Sequence, residues 1–213
     1  MNFIELFAGS AEFSLLAKEY GFNKIAYDWK QYGNTDVILD LEYLMPVHLS
    51  TANHIHCAFD CTTYTISAIS THRNGIEPKS EYAKKCDRVN IHVIDLIKQR
   101  LKTDPTLTFT FENPRGMLRH MPFMQEFKRY TVWYCQYGDE RAKPTDIWTN
   151  LNWDPRPMCR NYKYDKEGNI IDKHCHHESA RRGAKTGTQG RKGSYERSKM
   201  PRELCIELLN CIK

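Results

Sequence analysis

Short apolar segments alternate along the first 150 residues with stretches of helical periodicity. The clearest helical stretch, at residues 82–101, carries apolar side chains at spacings of three and four residues. A shorter helix is predicted at 123–127, and another from Pro201, which suits the first turn of a helix. The segments predicted as strands are 3–7, 24–27, 36–39, 54–59, 107–111 and 130–134. Strands that alternate with helices favour a parallel or mostly parallel sheet, so we predict an α/β fold.

Residues 151–196 break this alternation and are rich in Gly, Ser, Thr and Asn. The stretch from Leu151 to Met200 holds 12 Lys and Arg against 6 Asp and Glu, whereas the rest of the chain is at net −1. A local positive excess indicates a polyanion partner, most simply nucleic acid, although a solvated loop has the same composition. We predict a core domain at 1–150, a small irregular basic lobe at 151–196, and a C-terminal helix at 197–213 that returns to the core.

Composition excludes several other classes of protein. Hydrophobic residues make up 40% and charged residues 27% of the chain, which is not the composition of a disordered protein. No apolar run approaches the ~20 residues that a membrane-spanning helix needs. The first residues carry an acid and no basic region, so no signal peptide is expected. Eight cysteines spread over 213 residues are typical of reduced thiols, and we expect a cytoplasmic protein.

Distinctive side chains stand where the first three predicted strands end, and ligands of such sheets bind beyond these carboxyl ends. The turn at Gly9 would let backbone N–H groups approach a ligand, although a purely structural turn has the same sequence. Asp28 could accept hydrogen bonds from ribose hydroxyls, Trp29 could stack on a base, and Asp40 could accept from an adenine amino group. The residues predicted to line this adenosine pocket are Phe7, Ala8, Gly9, Ser10, Asp28, Trp29 and Asp40.

Two further strand ends carry residues suited to catalysis. Cys61 follows the fourth strand, and an ionised thiol at a strand-to-loop junction is a strong nucleophile, whereas an isolated cysteine is otherwise a buried structural residue. Glu112 ends the fifth strand, and a carboxyl group in an apolar setting can donate a proton near neutral pH. A helix cap, or an ion pair with Arg115, is the alternative role for this glutamate.

Taken in order, these segments resemble the motifs of the cytosine-5 DNA methyltransferase family. Residues 3–10 are similar to its opening S-adenosylmethionine (AdoMet) motif, and Cys61 stands where that family has its catalytic cysteine. Glu112 and Asn113 stand where the family has its Glu-Asn pair. Residues 137–143 resemble the basic motif near the nucleophile, and 197–201 resemble the last motif, which returns to the cofactor. The strings at 112–116 and 143–150 particularly resemble short methyltransferases of bacterial viruses.

The resemblance implies a Rossmann-like AdoMet-dependent fold and methyl transfer to C5 of a cytosine flipped out of duplex DNA. Cys61 would attack C6 of the base while Glu112 protonates or hydrogen-bonds N3. Asn113 would position Glu112 or the loop, and the lobe at 151–196 would recognise the target. Shielding of viral DNA from host nucleases is the biological role that the resemblance implies. The remaining residues implied are Arg141 and Lys143, which would hold the cysteine loop or contact the DNA, and Ser198, which would contact the cofactor.

The residue before the nucleophile departs from the family pattern. Asp60 stands where the family has proline, and an adjacent carboxylate should raise the pKa of Cys61 through like-charge repulsion. Three outcomes stay open: slower methylation; altered chemistry or a different acceptor, such as RNA or a modified pyrimidine; or lost catalysis with binding of DNA or a host protein retained. Ala11 and Glu12 replace the usual Gly-Gly of the first motif, and the short lobe predicts recognition of few bases.

The basic lobe also carries a cluster of cysteines and histidines. Cys159, Cys175 and His177 have spacings that could hold a zinc ion, with His174 and His176 nearby. A polar loop whose histidines face phosphate or solvent is the alternative. The residues predicted to contact DNA are Arg115, Lys185, Arg191 and Lys192, although the last three would also suit a mobile loop.

Overall fold

The computed structural model describes residues 1–160, 162–167, 169–173, 175, 177 and 194–212. Within them the chain forms a central sheet with helices on both faces. The strands in chain order are β1 (Asn2–Leu6), β2 (Asn23–Asp28), β3 (Val37–Ile38), β4 (His54–Ala58), β5 (Arg73–Asn74), β6 (Glu77–Pro78), β7 (Thr108–Pro114), β8 (Arg129–Trp133), β9 (Pro144–Thr149), β10 (Tyr162–Tyr164) and β11 (Ile170–Lys173). The helices are α1 (Glu12–Glu19), α2 (Ile69–His72), α3 (Glu81–Thr103), α4 (Ser194–Ser198) and α5 (Arg202–Ile212).

Seven strands form the central sheet in the order β3-β2-β1-β4-β7-β9-β8. The five strands from β3 to β7 in that order are parallel, and β9 runs antiparallel to both β7 and β8. Because both faces are covered by helices, β1, β4 and β7 are buried along nearly their whole length. This arrangement is the Rossmann-like fold of AdoMet-dependent methyltransferases, and it confirms the fold class predicted from the sequence.

The long helix α3 covers one face of the sheet. Its buried side chains recur every three or four residues, and Ser80 begins the helix by accepting a hydrogen bond from the Ala83 amide at 3.1 Å. On the opposite face α1 and α5 pack around Phe3, Phe13 and Leu208. The strands β1 and β9 contribute side chains to both apolar clusters, so these two strands are fixed from both faces of the sheet.

Two segments differ from the sequence prediction. Residues 123–127 contain only a single 3₁₀ turn, Pro122–Met124, because so short a segment cannot sustain a helix. The strand β9 was not predicted, because its polar residues and Pro144 are not typical of a central strand. The structure tolerates the proline because it is the first residue of the strand.

The described part of the predicted lobe is not wholly irregular. Leu151 and Trp153 are buried in the core beside α5, so the lobe's first residues belong to the core packing. The strands β10 and β11 form an antiparallel hairpin, with Tyr162 paired with Lys173. No helix in the described part of the chain combines the length and apolar character needed to cross a membrane.

Candidate active site

A cavity of about 470 Å³ opens where β1, β2 and β4 end, between the sheet, α3 and α4. Its volume lies within the range typical of small-molecule sites. Of the residues predicted to hold a cofactor, those in its wall are Phe7, Gly9, Asp28, Trp29, Asp40 and Ser198. Ala8 and Ser10 are instead buried behind the turn, which they support from within.

The turn after β1 brings two walls of this cavity together. Gly9 has a φ of +51°, a conformation that favours glycine, and its amide donates a 2.8 Å hydrogen bond to Oδ2 of Asp28. A Cβ at Gly9 would lie 3.5 Å from Oγ of Ser198. The turn, the end of β2 and the C-terminal segment therefore meet at one point.

The carboxylates of the cavity are held differently. Burial raises the pKa of Asp28, whereas a 2.7 Å hydrogen bond from Lys85 lowers the pKa of Asp40. Asp40 also accepts from the Glu42 amide, so each of its oxygens has one partner and keeps a lone pair for a ligand. Trp29 lies at the rim with 66% of its surface exposed, where its ring is available for stacking.

Cys61 lies in the loop after β4, half-buried and one residue beyond the cavity wall. Its pKa is raised to about 11, first by burial, then by the charge of Glu112, and then by that of Asp60. The effect predicted for Asp60 is confirmed in direction but is not the main cause. The Asp60 carboxylate itself accepts hydrogen bonds from the Thr62 amide at 2.7 Å and from the Tyr82 hydroxyl.

Glu112 lies close enough to Cys61 for its charge to act on the thiol, because β4 and β7 are parallel neighbours that pair Ala58 with Glu112. The Tyr134 hydroxyl donates to Oε1 of Glu112 at 2.8 Å, and Nζ of Lys143 lies 3.7 Å from the same oxygen. Burial lowers the pKa of Lys143. A thiol, a carboxylate and an amine are thus gathered beside the cofactor-sized cavity.

Asn113 and Gly116 connect this carboxylate to the cysteine loop. Nδ2 of Asn113 donates to the Phe59 carbonyl at 2.8 Å, so Asn113 holds the segment that leads to Cys61. A Cβ on Gly116 would lie only 2.4 Å from the Tyr64 carbonyl oxygen, which explains the glycine at that close approach. The loops after β4 and β7 are therefore locked together.

Arg141, which the sequence predicted to hold the cysteine loop or to contact DNA, lies buried beside the C-terminal segment. Its buried guanidinium pairs with Asp139 and donates to the carbonyls of Arg197 and Lys199 at 3.3 and 3.1 Å. Lys143 also donates to the Arg197 carbonyl, at 3.0 Å. Both basic residues thus anchor the segment that carries Ser198 to the cavity, because its carbonyls supply acceptors that these buried cations need.

Several residues of the site were missed by sequence reasoning. Tyr134 and Tyr82 lie in apolar patterns that indicate core packing, with no signal for the hydrogen bonds to Glu112 and Asp60. Arg73 is buried and donates to the Thr63 carbonyl at 2.9 Å, which supports the cysteine loop from the other side. A buried arginine next to a reactive loop is a contact that only the tertiary fold creates.

The predicted metal ligands come together with one unpredicted cysteine. The ligand atoms of Cys135, Cys159, Cys175 and His177 all lie within 4.8 Å of one another. Cys135 follows β8 in the core. It could not be predicted as a ligand from the sequence, because it lies far along the chain from the other three. His174 and His176 lie outside the described residues.

Of the predicted DNA contacts, only Arg115 lies in the described part of the chain. It is exposed, and its guanidinium carbon lies 5.8 Å from the ring centre of Trp133. Lys185, Arg191 and Lys192 lie outside the described residues.

No family model and no curated protein matches the chain. Two similar solved structures are DNMT2 proteins. A DNMT2 mutant from Spodoptera frugiperda has a TM-score of 0.48 and 17% identity over 75% of this chain and 53% of that chain. The S. pombe Dnmt2 methyltransferase has a TM-score of 0.46 and 9% identity over 81% of this chain and 57% of that chain. The chain spans little more than half the length of these structures, and likeness at this level indicates no shared substrate.

Proposed function

We propose that the chain is an AdoMet-dependent methyltransferase of the short, bacteriophage-type cytosine-5 class, which methylates C5 of cytosine in DNA. The observation that carries the proposal is the position of Cys61 and Glu112 one loop from a cavity lined by Gly9 and Asp28. A nucleophile, a carboxylate and a ligand cavity that converge at strand ends are the parts that this reaction requires.

The cavity residues fit AdoMet by their chemistry. The Asp28 carboxylate, at the end of β2, could accept hydrogen bonds from the ribose hydroxyls. Trp29 could stack on the base, and Asp40 could accept a hydrogen bond from its amino group. Asp60 also lines the cavity, where its negative charge would attract a cationic ligand. Bound there, AdoMet would supply an electrophilic methyl group.

Cys61 would act on a cytosine that has left the duplex stack. C5 of cytosine is a poor nucleophile until the thiolate adds to C6, with Glu112 hydrogen-bonded to N3. After C5 gains the methyl group, loss of the C5 proton and elimination of Cys61 restore the aromatic ring. The raised pKa of Cys61 means that its ionisation is expected to limit the rate near neutral pH.

DNA is the proposed partner because the chain's positive excess lies in the segment from Leu151 to Met200. Contacts with phosphates account for most non-specific affinity for DNA, and cationic side chains supply them. Arg115 is exposed on the loop that follows Glu112, so it would contact DNA close to the reacting base.

The test is transfer of labelled methyl from AdoMet to unmodified genomic DNA, followed by nucleoside analysis. We expect 5-methyldeoxycytidine, with no product from Cys61→Ser and a rate lowered about a hundredfold or more in Glu112→Gln. Cys211→Ser, which changes a half-buried cysteine of α5, is the matched control and should keep the activity.

Three results would contradict parts of the proposal. Label in RNA but not in DNA would change the substrate class. Label that persists in Cys61→Ser would exclude the covalent route. Binding of AdoMet and DNA without transfer would indicate a binding protein on this scaffold.

A further inference from the structure

Three cysteines and one histidine meet where the predicted lobe touches the core. From this geometry we propose that Cys135, Cys159, Cys175 and His177 bind one structural zinc ion. The site lies on residues that the proposed methyl transfer does not use, so it stands or fails independently of that function.

The distances among the four ligand atoms suit a tetrahedral metal. Edges of roughly 3.5 to 3.8 Å follow from Zn–S bonds of about 2.3 Å and Zn–N bonds of about 2.0 Å. Nδ1 of His177 lies 3.7 Å from Sγ of Cys159 and 3.0 Å from Sγ of Cys175, and all four atoms lie within 4.8 Å of one another. Adjustments of under about an ångström would therefore complete the tetrahedron.

The donor set points to zinc and to a structural role. Three thiolates and one imidazole form a tetrahedral set of soft and borderline ligands, which is typical of zinc. Four protein ligands fill the coordination sphere, so no position remains for a reacting water. Binding would release the three thiol protons, because thiolates are the ligands.

Groups around the cluster suit the charge that such a site carries. Three thiolates exceed the charge of Zn²⁺ by one unit, so nearby donors and cations stabilise it. Nε2 of Gln136 lies 4.0 Å from Sγ of Cys135 and 3.9 Å from Sγ of Cys175, as an N–H donor to sulfur would. Arg156, whose charge is paired with Glu203 and Glu207, donates to the Gln136 carbonyl at 2.7 Å and so holds the backbone of this donor in place.

The four ligands come from separate parts of the chain. Cys135 lies in a 3₁₀ turn after β8, whereas the other three flank the hairpin of β10 and β11. The metal would therefore fasten the hairpin to the core. Cys135 also follows Tyr134, whose hydroxyl holds Glu112, so the ion would fix the lobe next to the proposed catalytic carboxylate.

The test uses the full chain and reads metal binding directly. We expect one zinc per chain by elemental analysis of the purified protein. After zinc is removed by a chelator, Co²⁺ should give the intense visible absorption of a tetrahedral cobalt–thiolate site. Cys135→Ser should weaken zinc binding about tenfold or more, as should loss of any other ligand. Cys211→Ser is the matched control and should bind as the unchanged chain does.

If Cys135→Ser fails to fold, Cys135→His tests the site instead, because histidine still supplies a donor atom to the metal. It should still take up Co²⁺, with an absorption spectrum altered by the loss of one sulfur. The proposal is overturned if the chain binds neither zinc nor Co²⁺, if the cobalt spectrum lacks thiolate features, or if Cys135→Ser binds zinc unchanged.

Discussion

At the scale of single residues, the protein places its proposed nucleophile in an environment that opposes ionisation. Burial, Glu112 and Asp60 all raise the pKa of Cys61, and only Lys143 among the charged groups acting on it lowers that pKa. The free protein should be protected from unwanted oxidation or alkylation, since the thiolate is the reactive form.

This environment predicts a pH dependence for alkylation of Cys61. Below a pKa of about 11 the thiolate fraction, and so the alkylation rate, should rise roughly tenfold per pH unit from pH 7 to pH 10. Mass spectrometry of the peptide that contains Cys61 after timed exposure to iodoacetamide measures this rate. A plateau near pH 8 would contradict the raised pKa.

Variants of the neighbouring charges test the cause of the shift. Of the two carboxylates, Glu112 raises the pKa of Cys61 more than Asp60 does. At pH 8, Glu112→Gln should therefore speed alkylation more than Asp60→Asn does. Lys143→Met should slow alkylation, because the ammonium group favours the thiolate. The same peptide assay gives all three rates, and a larger effect of Asp60→Asn would reverse the assigned order.

The residues of this site differ in how far sequence could predict them. Cys61 follows β4 and Glu112 lies near the end of β7, and an α/β pattern can make two such strands neighbours, so the proximity of the two residues could be predicted. The role of Tyr134 could not be predicted, because its hydrogen bond to Glu112 spans 22 residues and depends on how β8 and β9 pack. Sequence likewise indicated three metal ligands but not Cys135.

At the scale of elements, Arg141 and Lys143 hold the carbonyls of the C-terminal segment before α5, and this segment lines the cavity. These contacts join residues 54 or more positions apart. The sequence motif predicted that residues 197–201 return to the cofactor. The contacts that hold them there could be identified only from the structure.

Arg141→Lys should loosen this segment. Lysine keeps the charge but cannot reach Asp139 and two carbonyls at once, so we expect a loss of roughly 1–3 kcal/mol in the free energy of unfolding. Hydrogen exchange of the backbone at 197–200 should accelerate, and AdoMet affinity should fall as Ser198 leaves the cavity wall. Denaturant titration, exchange mass spectrometry and calorimetry measure these three effects.

Arg202→Lys is the control for this change. Arg202 pairs with Glu19 on the exposed surface, so its replacement should leave stability and exchange unaltered. Unchanged exchange at 197–200 in Arg141→Lys would mean that other contacts hold the segment.

At the scale of the whole molecule, local patterns sufficed for the class of fold. Apolar strands and the spacing along α3 predicted the parallel part of the sheet. The antiparallel strand β9 could not be predicted, because its polar residues show no alternating pattern and its pairing with β7 and β8 defines it. The packing of Trp153 against the core similarly reflects tertiary contact rather than local preference.

The central claim is that Cys61 forms a covalent bond to C6 of cytosine in DNA. DNA synthesised with 5-fluorocytosine tests it directly, because a fluorine at C5 prevents the final loss of a proton and leaves the bond intact. With AdoMet present, we predict a denaturation-resistant complex whose linked peptide contains Cys61 and which Cys61→Ser does not form. If the DNA binds and no such complex appears, or if another cysteine carries the adduct, the account is contradicted.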